Sequence, residues 1–254
     1  MILRAAARTD VGQRRTGNED CFAVASELGL YVVADGMGGH SGGQMASRLA
    51  VQAAVTALKA LEGASAMLTE KLRYAVAAAN REIFATAQQK ADLAGMGTTL
   101  VALLAGGERI ALAHVGDSRA YLVRAGRIRQ LTDDHSLVAE LVRRREISPR
   151  AAREHPHRHV LTRALGVRRH GEPDLAELTP ARGDVFVLCS DGLTAHVGDD
   201  EITKAVCDGT DLAAACGRLI DLANSRGGED NITVVLVRCE QTGSVAPVSD
   251  PGGP

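Results

Sequence analysis

The sequence predicts an α+β fold, a four-layer α-β-β-α sandwich of two antiparallel sheets flanked by helix pairs. Three observations lead there. Short apolar runs succeed one another across glycine-containing turns, as hairpin strands do. Two long neighbouring stretches repeat apolar residues at helical spacing. The overall order is strands, helix pair, strands, helix pair, strand, without the strict alternation that builds a doubly wound parallel sheet.

Each element has its own warrant. Runs over 2–8, 21–26 and 30–34 read as strands bounded by glycine and polar clusters. The stretch 42–61 places Met45, Leu49, Ala53, Val55 and Leu58 on one helical face, and 66–91 does the same with Leu68, Leu72, Ala75, Val76 and Ile83. Strands follow over 98–104, 109–115, 119–124 and 127–131, with turns at Gly106-Gly107 and Ala125-Gly126. A polar stretch with short helices occupies 133–156. Strands return over 160–165, 175–178 and 184–190, helices over 199–207 and 211–225, and a last strand over 231–238. One domain is expected over 1–240. The Gly, Pro and Ser-rich tail 241–254 is expected to be disordered.

Composition suits this plan. Of 254 residues, 45% are hydrophobic and 24% charged, a globular balance. Aromatics are only 2%, with no Trp, so Ala, Val, Leu and Ile must fill the core. A net charge of −2 gives no concentrated cationic surface for nucleic acid. No apolar run approaches the roughly 18 to 20 residues that span a bilayer. The N-terminus carries Arg4 and Arg8 but no apolar signal core. Cys21, Cys189, Cys207, Cys216 and Cys239 are scattered, without a C-x-x-C pair, and read as reduced thiols. A cytoplasmic monomer without nucleic-acid or membrane partners is expected.

The chemistry gathers at strand ends. Asn18-Glu19-Asp20, Asp35-Gly36-Met37-Gly38-Gly39-His40, Gly116-Asp117-Ser118-Arg119, Ser190-Asp191-Gly192-Leu193 and Gly228-Glu229-Asp230-Asn231 each adjoin an apolar β run. A lone Asp there is an ordinary turn residue. Several carboxylates near a core are costly unless something neutralises them, so together they suggest a metal cluster. Oxygen-only donors suit Mg²⁺ or Mn²⁺ and not Zn²⁺.

With Arg15 three residues before Asn18, and with Gly95-Met96-Gly97-Thr98-Thr99, these motifs stand in the order of the metal-dependent type 2C protein serine/threonine phosphatases, and the chain resembles their bacterial members over roughly 4–238. The resemblance implies the same four-layer fold and the hydrolysis of phosphoserine and phosphothreonine by a metal-activated water. It implies two Mn²⁺ or Mg²⁺ ions, with a weaker third. Asp35 matches the carboxylate bridging two metals, with the Gly36 carbonyl on one of them. Asp191 and Asp230 match the remaining carboxylates of the first metal. Glu19 matches the acid of the second metal's shell, with Asp20 beside it, and Asp117 the ligand that shares a third metal with Asp191. For Asp117 the alternative is a turn cap paired with Arg119. Arg15 matches the guanidinium that grips the phosphoryl group. The implied partners are phosphorylated proteins, the substrates of a serine/threonine kinase and that kinase itself.

Met37 departs from the members that carry a general-acid His there, since a thioether donates no proton. His40 is the nearest candidate acid, with a loop histidine as the alternative. A dinucleotide fingerprint fails because Ser41 takes the third glycine position, and no phosphate-loop motif occurs. His155, His157 and His159 would share a strand face but lack zinc-site spacing and read as an exposed loop. The basic stretch 143–170 lies in the region (133–170) that forms the family's flap, and is either a solvated face or a patch that steers substrate. A catalytically weak phosphoprotein-binding pseudophosphatase is the competing class, and it would require a missing ligand.

Overall fold

The computed structural model describes residues 1–241, so all of the expected tail but Gln241 lies outside the described residues. Eleven strands and seven α-helices are described. They run β1 (Ile2–Asp10), β2 (Asp20–Ala25), β3 (Leu30–Met37), α1 (His40–Ala60), α2 (Leu68–Gln89), β4 (Gly97–Thr98), β5 (Leu100–Gly106), β6 (Arg109–Val115), β7 (Arg119–Arg124) and β8 (Arg127–Gln130). Then come α3 (Leu137–Arg143), α4 (Pro149–Arg153), β9 (Asp174–Leu178), β10 (Val185–Cys189), α5 (Asp191–Thr194), α6 (Asp199–Cys207), α7 (Leu212–Ser225) and β11 (Ile232–Gln241).

One sheet has the order β1-β11-β10-β7-β8, the other β2-β3-β5-β6-β9 with β4 beside β3. Every pairing is antiparallel. The two-residue period of a strand sorts the side chains into layers. On β3, Tyr31 and Val33 enter the layer between the sheets, while Leu30, Val32 and Ala34 face α1 and α2. On β10, Phe186 and Leu188 point into the same central layer, while Val185, Val187 and Cys189 face the second helix group. Ala46, Ala50, Ala54, Ala75 and Ala79 line the first helix layer, and these small side chains let α1, α2 and the sheet approach closely. The α-β-β-α sandwich is therefore as expected.

Three local features differ from the sequence reading. The ladder breaks at Thr99, between β4 and β5, because the Thr99 N–H and hydroxyl both bond Asp35. The stretch 160–165 makes only single bridges, Leu161 to Ser136 and Leu165 to Thr98, and forms no strand. Its backbone bonds turn from the 135–137 segment to β4 within a few residues, so no ladder propagates. The short helix α5 was not anticipated.

Phe186 is 1% exposed at the centre of the inter-sheet layer. Phe186→Ala should cost about 3–5 kcal/mol of stability, measured by denaturant unfolding of the metal-free protein.

Candidate metal centre

One end of the sandwich carries the charged residues. Asp35 near the end of β3, Asp117 in the β6–β7 turn, Asp191 after β10, and Asp230 before β11 all line one cleft of about 300 Å³. Gly36 lines it too, and Arg15 reaches in from the β1–β2 loop. Six of the residues singled out in the sequence thus meet. Glu19 does not line the cleft; its carboxylate packs under the first turn of α1, where a Cβ on Gly43 would overlap it. Gly36 is similarly enforced, since a Cβ there would strike the Gly43 carbonyl.

Hydroxyl and amide side chains hold these carboxylates in place. The Asp35 N–H donates to Thr99 Oγ1 at 2.9 Å, and the Thr99 N–H donates back to the Asp35 carbonyl at 2.8 Å. The Thr98 hydroxyl donates to the same carbonyl at 2.8 Å. Thr99 Oγ1 shares a 2.7 Å hydrogen bond with Ser118 Oγ, linking Asp35 to the Asp117 turn. Asn231 Oδ1 accepts from the Glu19 N–H at 2.8 Å, and its Nδ2 donates to the Val11 and Gly17 carbonyls at 2.9 Å each. That one amide pins both ends of the loop that carries Arg15. Asp20 is buried: its Oδ2 accepts from the Ser190 hydroxyl at 2.8 Å and the Thr233 hydroxyl at 2.7 Å, while its Oδ1 has no partner. Thr98, Thr99, Ser190, Asn231 and Thr233 acquire roles that sequence reasoning left blank, although the first four sit inside the motifs it quoted.

The cleft is electrostatically uncompensated. Burial, then the charges of Asp20, Asp191 and Asp117, push the Asp35 carboxyl well above the ordinary range. Asp117 is raised by burial and then by Asp191, and Asp191 by burial and then by Asp230. Asp191 Oδ1 is buried without a hydrogen-bond partner. Against this stand Arg15, whose Nη2 lies 2.7 Å from Asp230 Oδ2, and His159, whose Nδ1 lies 4.0 Å from Asp191 Oδ2. Five carboxylates line the cleft, counting Glu229, against one arginine, and with an orphaned oxygen among them they fit divalent cations of the hard, oxygen-preferring kind.

Arg119 does not neutralise Asp117. Its guanidinium is spent on Asp134, through contacts of 2.9, 3.1 and 2.7 Å, and on the Tyr121 hydroxyl at 3.0 Å. Asp117 is therefore left facing the cleft. His155 is half-buried and His157 exposed in a loop, while His159 and Leu161 bring the 133–170 stretch to the rim of the cleft. His40 opens α1, and its side chain lies outside what the structure describes. A second cluster, unforeseen in the sequence, joins His114, His135 and Asp174. Burial, then the neighbouring His135, pushes His114 down to about 3, so that ring is neutral.

The model of the protein phosphatase 2C family matches residues 12–233. A serine/threonine phosphatase of Listeria monocytogenes is 42% identical over 248 residues, covering 94% of this chain and 97% of that protein. The Mycobacterium tuberculosis serine/threonine protein phosphatase PstP is 43% identical over 236 residues, covering 93% of this chain but 45% of its own length. A crystal structure of the Mycobacterium tuberculosis phosphatase superposes with a TM-score of 0.86 at 42% identity, over 95% of this chain and all of that one. The PstP catalytic domain in complex with two manganese ions superposes at 0.82 and 41% identity, over 93% of this chain and 97% of that one.

Thr99→Val should strand the Asp35 N–H and break the link to Ser118. The expected loss is about 1–3 kcal/mol of unfolding free energy, read by urea denaturation, because a buried donor is left unpaired.

Proposed function

The chain belongs to the protein phosphatase 2C family, and from that premise we propose that it removes phosphate from phosphoserine and phosphothreonine in proteins, with the carboxylate cleft as its active site. It is a metal-dependent hydrolase, and its cofactor is Mn²⁺ or Mg²⁺. The observation that carries the assignment is the meeting of Asp35, Asp117, Asp191 and Asp230 with a single arginine in one cleft. A pseudophosphatase is disfavoured because Asp35, Asp117, Asp191 and Asp230 are all present and line the cleft.

Asp35, Asp191 and Asp230, with the Gly36 carbonyl, would hold the metal pair. Glu19 and Asp20 would support them from behind, and Asp117 with Asp191 would hold a weaker third ion. Bound divalent ions lower the pKa of water and neutralise charge on a transferring phosphoryl group. The protein's own groups do the rest by positioning, which is most of what phosphoryl transfer requires. Arg15 is half-exposed at the cleft mouth, and its planar guanidinium presents parallel donors that match phosphoryl oxygens. Its present partner, Asp230, shows that the side chain reaches the carboxylate cluster. Met37 borders the cleft but holds no proton for the leaving alkoxide. His40 is the acid proposed from the sequence, and the imidazole of His159 also faces the cleft.

The substrates we infer are the products of a serine/threonine kinase, the kinase itself included, met in the cytoplasm by a monomeric enzyme. All five cysteines are free, as suits a reducing compartment. No described helix is long and apolar enough to cross a membrane. The arginines of the flap support an acidic phosphoprotein as substrate: Arg143, Arg144 and Arg145 are outward-facing, and the nearest acid is Glu140, 3.8 Å from Arg144.

Two outcomes follow. Hydrolysis of phosphothreonine peptide and p-nitrophenyl phosphate should vanish on exhaustive chelation and return with Mn²⁺, and Asp191→Asn should lower kcat about 100-fold or more. Full activity in chelator would refute the metal mechanism. Neutralising Arg143, Arg144 and Arg145 together should lower kcat/KM for an acidic phosphoprotein at low salt only, since screening shortens exposed charge to about 3 Å at 1 M. Saturated turnover of p-nitrophenyl phosphate should stay near wild type; an equal, salt-independent loss on both substrates would assign the three arginines to folding instead.

A further inference from the structure

We propose that His135 is a positioning residue that sets the Asp117 carboxylate and couples it to the flap. The inference rests on the reading of Asp117 as a ligand of the weaker third ion.

His135 grips Gly116, the residue before Asp117, at two points. The His135 backbone N–H donates to the Gly116 carbonyl at 2.8 Å, and the Gly116 N–H donates to His135 Nδ1 at 3.0 Å. Gly116 has φ +108, and a Cβ there would lie 2.6 Å from the Thr99 side chain, so this turn tolerates no other residue. Asp117 is thus aimed by a glycine held between His135 on one side and Thr99 on the other.

The hydrogen bonds fix the tautomer. Because Nδ1 accepts from an amide, the proton of the neutral ring sits on Nε2. Nε2–H then donates to Asp174 Oδ2 at 3.0 Å, and Asp174 Oδ1 accepts from Arg163 Nη1 at 2.7 Å, so the 2.9 Å approach of Arg163 Nη1 to Nε2 sets two donors side by side on one bridging carboxylate. His114, 2% exposed, packs against the His135 ring with centroids 4.6 Å apart and planes tilted by 31°. The same arrangement argues against a nitrogen-rich metal site at His114, His135 and Asp174. An ion on Nε2 would require a ring with lone pairs on both nitrogens, and the Arg163 guanidinium already occupies the approach.

The other side of His135 faces the flap. Its carbonyl accepts from the Thr162 N–H at 2.8 Å, the adjacent Ser136 bridges to Leu161, and the Leu137 N–H donates to the Val160 carbonyl at 2.8 Å. Arg163, from the same segment, closes the circuit through Asp174. The flap's return and the Asp117 turn therefore share one anchor. Displacing the flap disturbs the grip on Gly116, and disturbing His135 loosens both.

The test uses two substitutions that divide the ring. His135→Asn keeps an oxygen near the Nδ1 position to accept from Gly116, whereas His135→Gln keeps a group near Nε2 and gives up that acceptor. Mn²⁺ binding is followed by calorimetry on the full chain, beside Asp117→Asn. The weakest Mn²⁺ binding step should fall about tenfold or more in His135→Gln, as for other groups that orient ligands, and stay within about threefold of wild type in His135→Asn. Wild-type binding in His135→Gln, or equal losses in both variants, would overturn the proposal. An unchanged weak step in Asp117→Asn would instead refute the reading of Asp117. Should His135→Gln fail to fold, His135→Ala removes the Nδ1 acceptor with a smaller side chain. It should weaken the same step, and an unaltered step there would equally overturn the role of His135.

Discussion

Mutual repulsion among carboxylates is the constraint around which this molecule is organised. Asp20, Asp35, Asp117 and Asp191 crowd together beside Asp230 at one end of the sandwich, and burial makes the charge on each of these four harder to hold. A chain gains nothing in stability from such a cluster. It persists because neighbours hold it: two threonines on the backbone of Asp35, two hydroxyls on Asp20, an asparagine across the Arg15 loop, and a histidine on the Asp117 turn. The folding energy that holds these groups together is supplied by three apolar layers, and divalent cations bound among them would relieve the repulsion.

The sandwich explains how distant residues reach one cleft. Strands β3, β10 and β11 and the β6–β7 turn bring their charged ends to one edge of two stacked sheets. The period of two then places Tyr31, Phe186 and their neighbours between the sheets just behind that edge. Rigid strands position the carboxylates, while the irregular segment 155–163 brings His159 and Leu161 to the rim above them.

Much of this was legible in the sequence. The layer order followed from strand and helix periodicity, and Asp35, Asp117, Asp191 and Asp230 stood out because acids beside apolar β runs are costly. What stayed hidden is relational. Nothing local in Thr98-Thr99 says that both side chains are spent on Asp35, or that the ladder must break there. Asn231 stood in an acidic motif without a role of its own, yet its amide holds a loop more than two hundred residues away. The stretch 160–165 has strand-like composition, but its hydrogen bonds are divided between two neighbours. His135 is one of eight histidines with no motif to mark it, and its meaning lies wholly in which atoms face it.

The central claim is that the acidic cleft is a divalent metal centre. Anomalous diffraction at the manganese edge, from crystals of the protein grown with Mn²⁺, tests it most directly. The account predicts anomalous peaks among Asp35, Asp191 and Asp230, with a weaker one beside Asp117, and none at His114, His135 and Asp174. Peaks only at the histidine cluster, or an acidic cleft without any, would contradict it.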